Sequence, residues 1–166
     1  DSGVNWTPHE SARSWGALAS SGDGTKLVAG DNIPGVGGAL YRSTDSGVNW
    51  SVIDATARKW TGLASSSDGT KLAGTVFNHG IRTSSDSGAT WVLRDSARDW
   101  WDIASSSDGV NLIACTLSGL LYSSTDSGIT WIASESARNW RKVDISADGT
   151  KLIACVSSGL IYTASQ

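Results

Sequence analysis

The chain has 166 residues, 39% apolar and 17% charged, with a formal net charge of -3 and a sequence pI near 5.2. These values fit one globular domain, and the acidic balance argues against a nucleic-acid partner, although the eight arginines could form a local basic patch. No apolar run approaches the ~20 residues of a membrane span, so none is expected; with no signal peptide and no initiating Met, the chain reads as a processed product, a fragment or the ordered part of something longer.

Nine Trp and nineteen Gly accompany one Phe and no Met, which suggests a Trp-bearing unit copied several times. Aspartates open the copies at Asp1, Asp45, Asp86 and Asp126, at spacings of 44, 41 and 40 residues. The units 1–44, 45–85, 86–125 and 126–166 are expected to build a single domain, 1–166. A period of ~40 residues points to a propeller or solenoid, in which units bury their faces only against neighbours.

Within each unit four strand signals recur. The first starts at a tryptophan, at Trp15, Trp60, Trp100 and Trp140, and ends in an Asp-Gly turn at Asp23-Gly24, Asp68-Gly69, Asp108-Gly109 or Asp148-Gly149. Asp-Gly between apolar runs is a strong hairpin signal, because glycine accepts the positive φ of the turn. The second strand follows at Lys26, Lys71, Asn111 and Lys151, and its near-continuous apolar run fits a strand covered on both faces. A glycine-containing loop leads to the third, and a Ser-x-Asp-x-Gly-x-x-Trp turn leads to a fourth over residues 49–53, 90–94 and 130–134. No segment sustains a 3.6-residue apolar period, so no helix is expected.

We expect an all-β fold, a β-propeller of four four-stranded antiparallel blades. The chain begins with a lone fourth strand, residues 4–9, and ends after three strands of the last blade, so pairing these two pieces is expected to close the ring and remove two sheet edges. Two chains forming an eight-bladed ring, or part of a larger propeller, are the alternatives. Cys115 and Cys155 hold equivalent places in adjacent repeats, point in the same sense, and are expected to be free, buried thiols.

The turn Ser43-Thr44-Asp45-Ser46-Gly47-Val48-Asn49-Trp50 returns at residues 84–91 and 124–131, with a split copy at the chain ends. It resembles the Asp-box repeat of sialidases, related glycosidases, sortilin-type receptors and photosystem assembly factors. The resemblance implies a propeller fold and a structural turn at the blade rim, away from the ligand site. It also raises sialidase chemistry, which resembles an arginine triad on a carboxylate with a tyrosine nucleophile, a glutamate and an aspartic acid. Here the two glutamates, Glu10 and Glu135, and the three tyrosines, Tyr41, Tyr122 and Tyr162, obey the repeat and read as scaffold. No carboxylate pair is placed by spacing for glycoside hydrolysis, and His9 and His79 have no second ligand at metal spacing. The chain is therefore expected not to be an enzyme and to need no cofactor.

A second repeated signature, Ser-Ala-Arg-x-Trp, places Arg13 and Trp15, Arg58 and Trp60 (after Thr56), Arg98 and Trp100, and Arg138 and Trp140 on the connection between blades. That connection shares a face with the loops after the second strands, which carry Asn78 and His79; Trp101 adds a second indole nearby. Arginine forks and indole faces suit sugars or carboxylates, and four similar sites would bring avidity. The structural reading of the same residues is that each arginine caps carbonyls and each tryptophan fills the wedge between blades. The expected function is lectin-like binding of a carbohydrate, glycoconjugate or other cell-surface ligand on this face, in an extracellular or periplasmic setting and with a possible homo-oligomer. The alternatives are an assembly module docking on protein and a fragment of a sialidase-like or glucanase-like glycosidase.

Overall fold

The computed structural model describes residues 5–166, with Glu135 by its backbone alone. All regular structure among the described residues is strand. The first sheet runs β1 (Trp15–Ser20), β2 (Leu27–Asp31), β3 (Gly38–Ser43), β4 (Ser51–Arg58), and the second β5 (Trp60–Ser65), β6 (Leu72–Val76), β7 (Gly80–Ser84), β8 (Val92–Leu93). The third runs β9 (Trp100–Ser105), β10 (Leu112–Thr116), β11 (Gly119–Ser124), β12 (Ile132–Arg138), and the last has three strands, β13 (Trp140–Ile145), β14 (Lys151–Val156) and β15 (Ile161–Ser165). Each sheet is an antiparallel meander in chain order, the blade of a β-propeller.

The core lies between blades. Leu40 and Val28 of the first sheet pack against Trp60 and Leu63 of the second. Ile81 and Ala73 meet Trp100 and Ile103, and Leu121 and Ile113 meet Trp140 and Val143. Trp60, Trp100 and Trp140 are fully buried, one per seam. Each indole removes roughly 150–250 Å² from water, a gross gain of about 4–6 kcal/mol, so these three side chains dominate the seams. β6 and β10 are buried throughout, as expected of strands covered on both faces, whereas β14 has exposed positions.

The expected ring closure is not formed. Residues 5–9 carry no strand and are exposed, residue 4 lies outside the described residues, and β15 has no second strand partner among the described residues. β1 packs on β5, β5 on β9 and β9 on β13, but β13 makes no comparable packing against β1. A whole indole fills each seam and fixes the angle between sheets, which leaves four blades as an open arc. β4 and β12 also run further than expected, so Arg58 and Arg138 end strands and pair with Gly38 and Gly119 instead of sitting on free connections. Cys115 and Cys155 are both free; Cys115 is buried, with its thiol pushed up to about 12 by burial, but Cys155 is only half-buried.

Candidate ligand-binding face

The two ends of each sheet differ in chemistry. At one end lie the Asp-Gly turns and the Ser-x-Asp-x-Gly-x-x-Trp turns, tied together by bonds such as Ser46 N–H to the Thr25 carbonyl at 3.0 Å. In the first copy, Ser43 Oγ donates to Asp45 Oδ1 at 2.7 Å and accepts from Gly47 N–H at 2.9 Å, while Asn49 N–H donates to Asp45 Oδ1 at 2.9 Å. Gly47 has φ 90°, a conformation open to glycine, and its carbonyl accepts from Trp50 Nε1 at 2.9 Å. The same bonds recur around Asp86 and Asp126. The donors hold Asp45, Asp86 and Asp126 down at about 2, through Asn49, Thr90 and Thr130 respectively. Every oxygen of these carboxylates is engaged within its own turn, which fits a structural role.

The opposite end carries the Arg/Trp positions. Trp60, Trp100 and Trp140 do not offer a ring to a ligand: all three have zero exposure, a correction to their expected place in a binding site. Trp15 is half-buried, since no sheet precedes it, and packs edge-on to Tyr41 with centroids 5.3 Å apart. The arginines stack on tyrosines, Arg13 4.6 Å from the Tyr41 ring, Arg98 4.9 Å from Tyr122, and Arg138, at the end of β12, 4.8 Å from Tyr162 of the last blade. In the second blade Arg82 replaces the tyrosine, and Arg58 instead pairs with Asp54 at 2.9 Å. Arg13 lies 3.9 Å from Glu10 and Arg98 3.7 Å from Asp95, so an acid three or four residues upstream partly neutralises each of these guanidiniums. The side chain of Glu135, before Arg138, is outside the described set.

Asn78 and His79 are exposed on the β6–β7 turn, where Asn78 has φ 59° and donates its N–H to the Arg98 carbonyl at 2.9 Å, joining two blades. Trp101 is half-buried on β9, with the Arg141 guanidinium 5.1 Å from its ring. The expected residues therefore spread over four blades and do not converge on one pocket.

One cleft on this face has the features of a site. Ala12, Arg13, Ser14, Asp31 and Ile33 line it on the first blade. Asp31 is 4% exposed, yet its Oδ1 has no hydrogen-bond partner. A buried acceptor without a donor is costly and rare, and this oxygen lies just beneath the surface of the cleft, closed to solvent. The long loop after β2 forms one wall, folded by Val36 and Gly37 N–H groups donating to the Ile33 carbonyl at 3.1 and 2.8 Å and by Asn32 N–H donating to the Ser14 carbonyl at 2.7 Å. This loop is one of those expected on the Arg/Trp face, although Asp31 is not among the expected site residues. The signal was present, because the other repeats carry Val76, Thr116 and Val156 at this strand position.

A second buried acid departs from the repeat. Asp102 on β9 faces Lys142 of β13, with Nζ at 3.2 Å from Oδ1, and accepts from Val143 N–H at 3.1 Å. Burial raises its carboxyl above the usual range despite these partners. The pair bridges two inner strands and both oxygens are occupied, so it serves the seam.

No protein-family profile and no curated protein sequence matches the chain. Solved structures do, at identities that show the fold alone. A GH74 xyloglucanase from Xanthomonas campestris superimposes with TM-score 0.68 at 15% identity, over 90% of this chain and 24% of that one. YCF48 bound to D1 peptide gives TM-score 0.67 at 16% identity, over 98% of this chain and 56% of that one. The computationally designed Ika4 protein gives TM-score 0.72 at 10% identity, over 95% of both chains. The fold is a β-propeller. The chain spans about a quarter of the xyloglucanase and just over half of YCF48.

Proposed function

We propose that the protein is a non-enzymatic binding module of lectin-like character, acting outside the cytoplasm, that holds a carbohydrate or glycoconjugate in the first-blade cleft. The observation that carries this reading is the buried, unpartnered Oδ1 of Asp31 beside Arg13 and Ser14. Once the loop after β2 shifts enough to expose that oxygen, a sugar hydroxyl donates to it, the Ser14 hydroxyl and Arg13 N–H groups meet neighbouring ring or hydroxyl oxygens, and Ile33 packs on the apolar C–H face. A site this shallow binds weakly by itself, so multivalent display of the glycan would raise the apparent affinity.

A glycan array with the intact chain tests the reading. Binding should be lost in Asp31→Asn, which keeps the shape but replaces half of the acceptor capacity with donors, and reduced in Arg13→Ala. An array without signal for the intact chain overturns it. Protein docking on the same face is the second reading, favoured by the likeness to YCF48 in its complex with a peptide; an empty glycan array with peptide binding sensitive to Arg98→Ala would favour it.

A further inference from the structure

We propose that the two open ends of the arc join a second copy of the chain, head to tail, so that two copies close one eight-bladed ring. The inference is independent of what the cleft binds.

The terminal faces are the same surfaces that already meet inside the chain. On the leading face of the third blade, Ile113 and Leu121 are 2% and 7% exposed, covered by the fourth blade; their equivalents on the fourth blade, Ile153 and Ile161, are 43% and 70% exposed. On the trailing face, Leu63, Ile103 and Val143 are 8%, 4% and 7% exposed, whereas the equivalent Leu18 of the first blade is 69% exposed. The chain thus leaves one socket and one plug unmatched, each of a kind that has found its partner at three seams. Exposed apolar surface of this sort marks an interaction site, and complementary faces on one molecule make a heterologous contact that ends in a ring when the rotation closes.

Three further features point the same way. A relay of backbone bonds crosses the seams in one direction, from Gly22 N–H to the Ser67 carbonyl, Ser67 N–H to Ser107 and Ser107 N–H to Ala147, at 2.8, 2.7 and 2.8 Å. Within the chain it stops there, leaving the Ala147 N–H to reach the Gly22 carbonyl of the next copy. The outer edge of β15 is unpaired among the described residues, the place where the N-terminal segment of the next copy would add a fourth strand. That segment carries Trp6, the repeat equivalent of Trp50, Trp91 and Trp131; those three lie within 6.5 Å of Trp15, Trp60 and Trp100, whereas Trp140 has only the Tyr162 ring beside it among the described residues. The arc superimposes on just over half of YCF48 with TM-score 0.67, so it has the curvature of part of a propeller, and two copies are the smallest number that can complete a ring.

Light scattering on the chain decides the point, with a mass of twice 17.3 kDa expected. Leu18→Asp and Ile161→Asp alter side chains that are exposed in the single copy, so each variant should keep its strand signature and run at the single-copy mass. Mixing the two variants should restore a double-mass species, because one of the two seams in a mixed ring is then unaltered. Cys155, the equivalent of buried Cys115, should resist alkylation in the parent and react in Leu18→Asp. A single-copy mass for the parent at all concentrations overturns the proposal. So does a parent dimer that neither variant disrupts, equal Cys155 reactivity in the two chains, or assembly that grows past two copies.

Discussion

Ser84 shows how much one hydroxyl can carry in this fold. It is 6% exposed, donates to Asp86 Oδ1 at 2.7 Å and accepts from Gly88 N–H at 2.8 Å. Ser84→Ala leaves a buried N–H without an acceptor, so we expect a loss of about 1–3 kcal/mol in urea unfolding; a change within error would mean that the turn is held by Trp91 packing instead. The carboxylate next to it behaves differently with pH. The folded value of Asp86 is held down at about 2, below its ordinary 3.8, so its contribution is present above pH 3.8 and fades as pH falls toward 2. The recurrence of Ser, Asp, Gly and Trp made the structural role of this turn readable in advance. The fate of the buried indoles was less readable, because Trp60 beside Arg58 has the composition of a sugar platform and of a wedge alike. Only packing distinguishes the two, and the acid upstream of each arginine, such as Asp54, was the overlooked sign that the guanidinium is already engaged.

Strand positions were legible to within a few residues wherever a Trp began a strand and Asp-Gly ended it. The outer strands were not, since β4 reaches Arg58 while its counterpart β8 covers only Val92–Leu93. The difference follows from local bonding: in the second blade Ser96 N–H and Oγ both turn onto Asp95 Oδ1, and the Ser96 carbonyl accepts from Trp100 Nε1 at 3.0 Å, which draws this stretch out of the ladder. The β9–β13 pairing offers a test at this scale. Because burial raises the folded Asp102 carboxyl, the protonated form is favoured by folding, and that contribution is complete below the ordinary 3.8 and lost as pH rises through the raised value. Asp102→Asn removes this titration while its amide oxygen can still accept from Val143 N–H. Relative to the parent, the variant should gain stability as pH is raised from 3.5 to 7 in paired urea titrations; parallel curves would show that Lys142 fully compensates the buried charge.

For the molecule as a whole, period and turn chemistry led directly to blades, but not to the way the ends meet. Ring closure depends on the angle at each seam, set by how an entire indole seats between sheets, and no residue count encodes that angle. The consequence for stability is a gradient along the arc. β6 and β10 are covered on both faces, while β15 has an open edge and four exposed positions out of five. In the Leu18→Asp chain, amides of β6 and β10 should exchange slowest and those of β15 ~10-fold faster or more, as expected where local opening costs little; uniform protection would show that the four sheets open only together.

The ring pairs at the seams also give the protein an optical identity. Trp60 and Trp91 lie 5.6 Å apart at a 56° tilt, and Trp100 and Trp131 lie 6.3 Å apart at 51°. Indoles this close share their electronic excitation, so their near-ultraviolet absorption belongs to coupled chromophores whose sign in circular dichroism follows the tilt. The seams that hold Trp60 and Trp100 thereby contain their own spectroscopic gauge, built from native side chains and sensitive to any loosening of the buried indole that leaves the strands themselves intact.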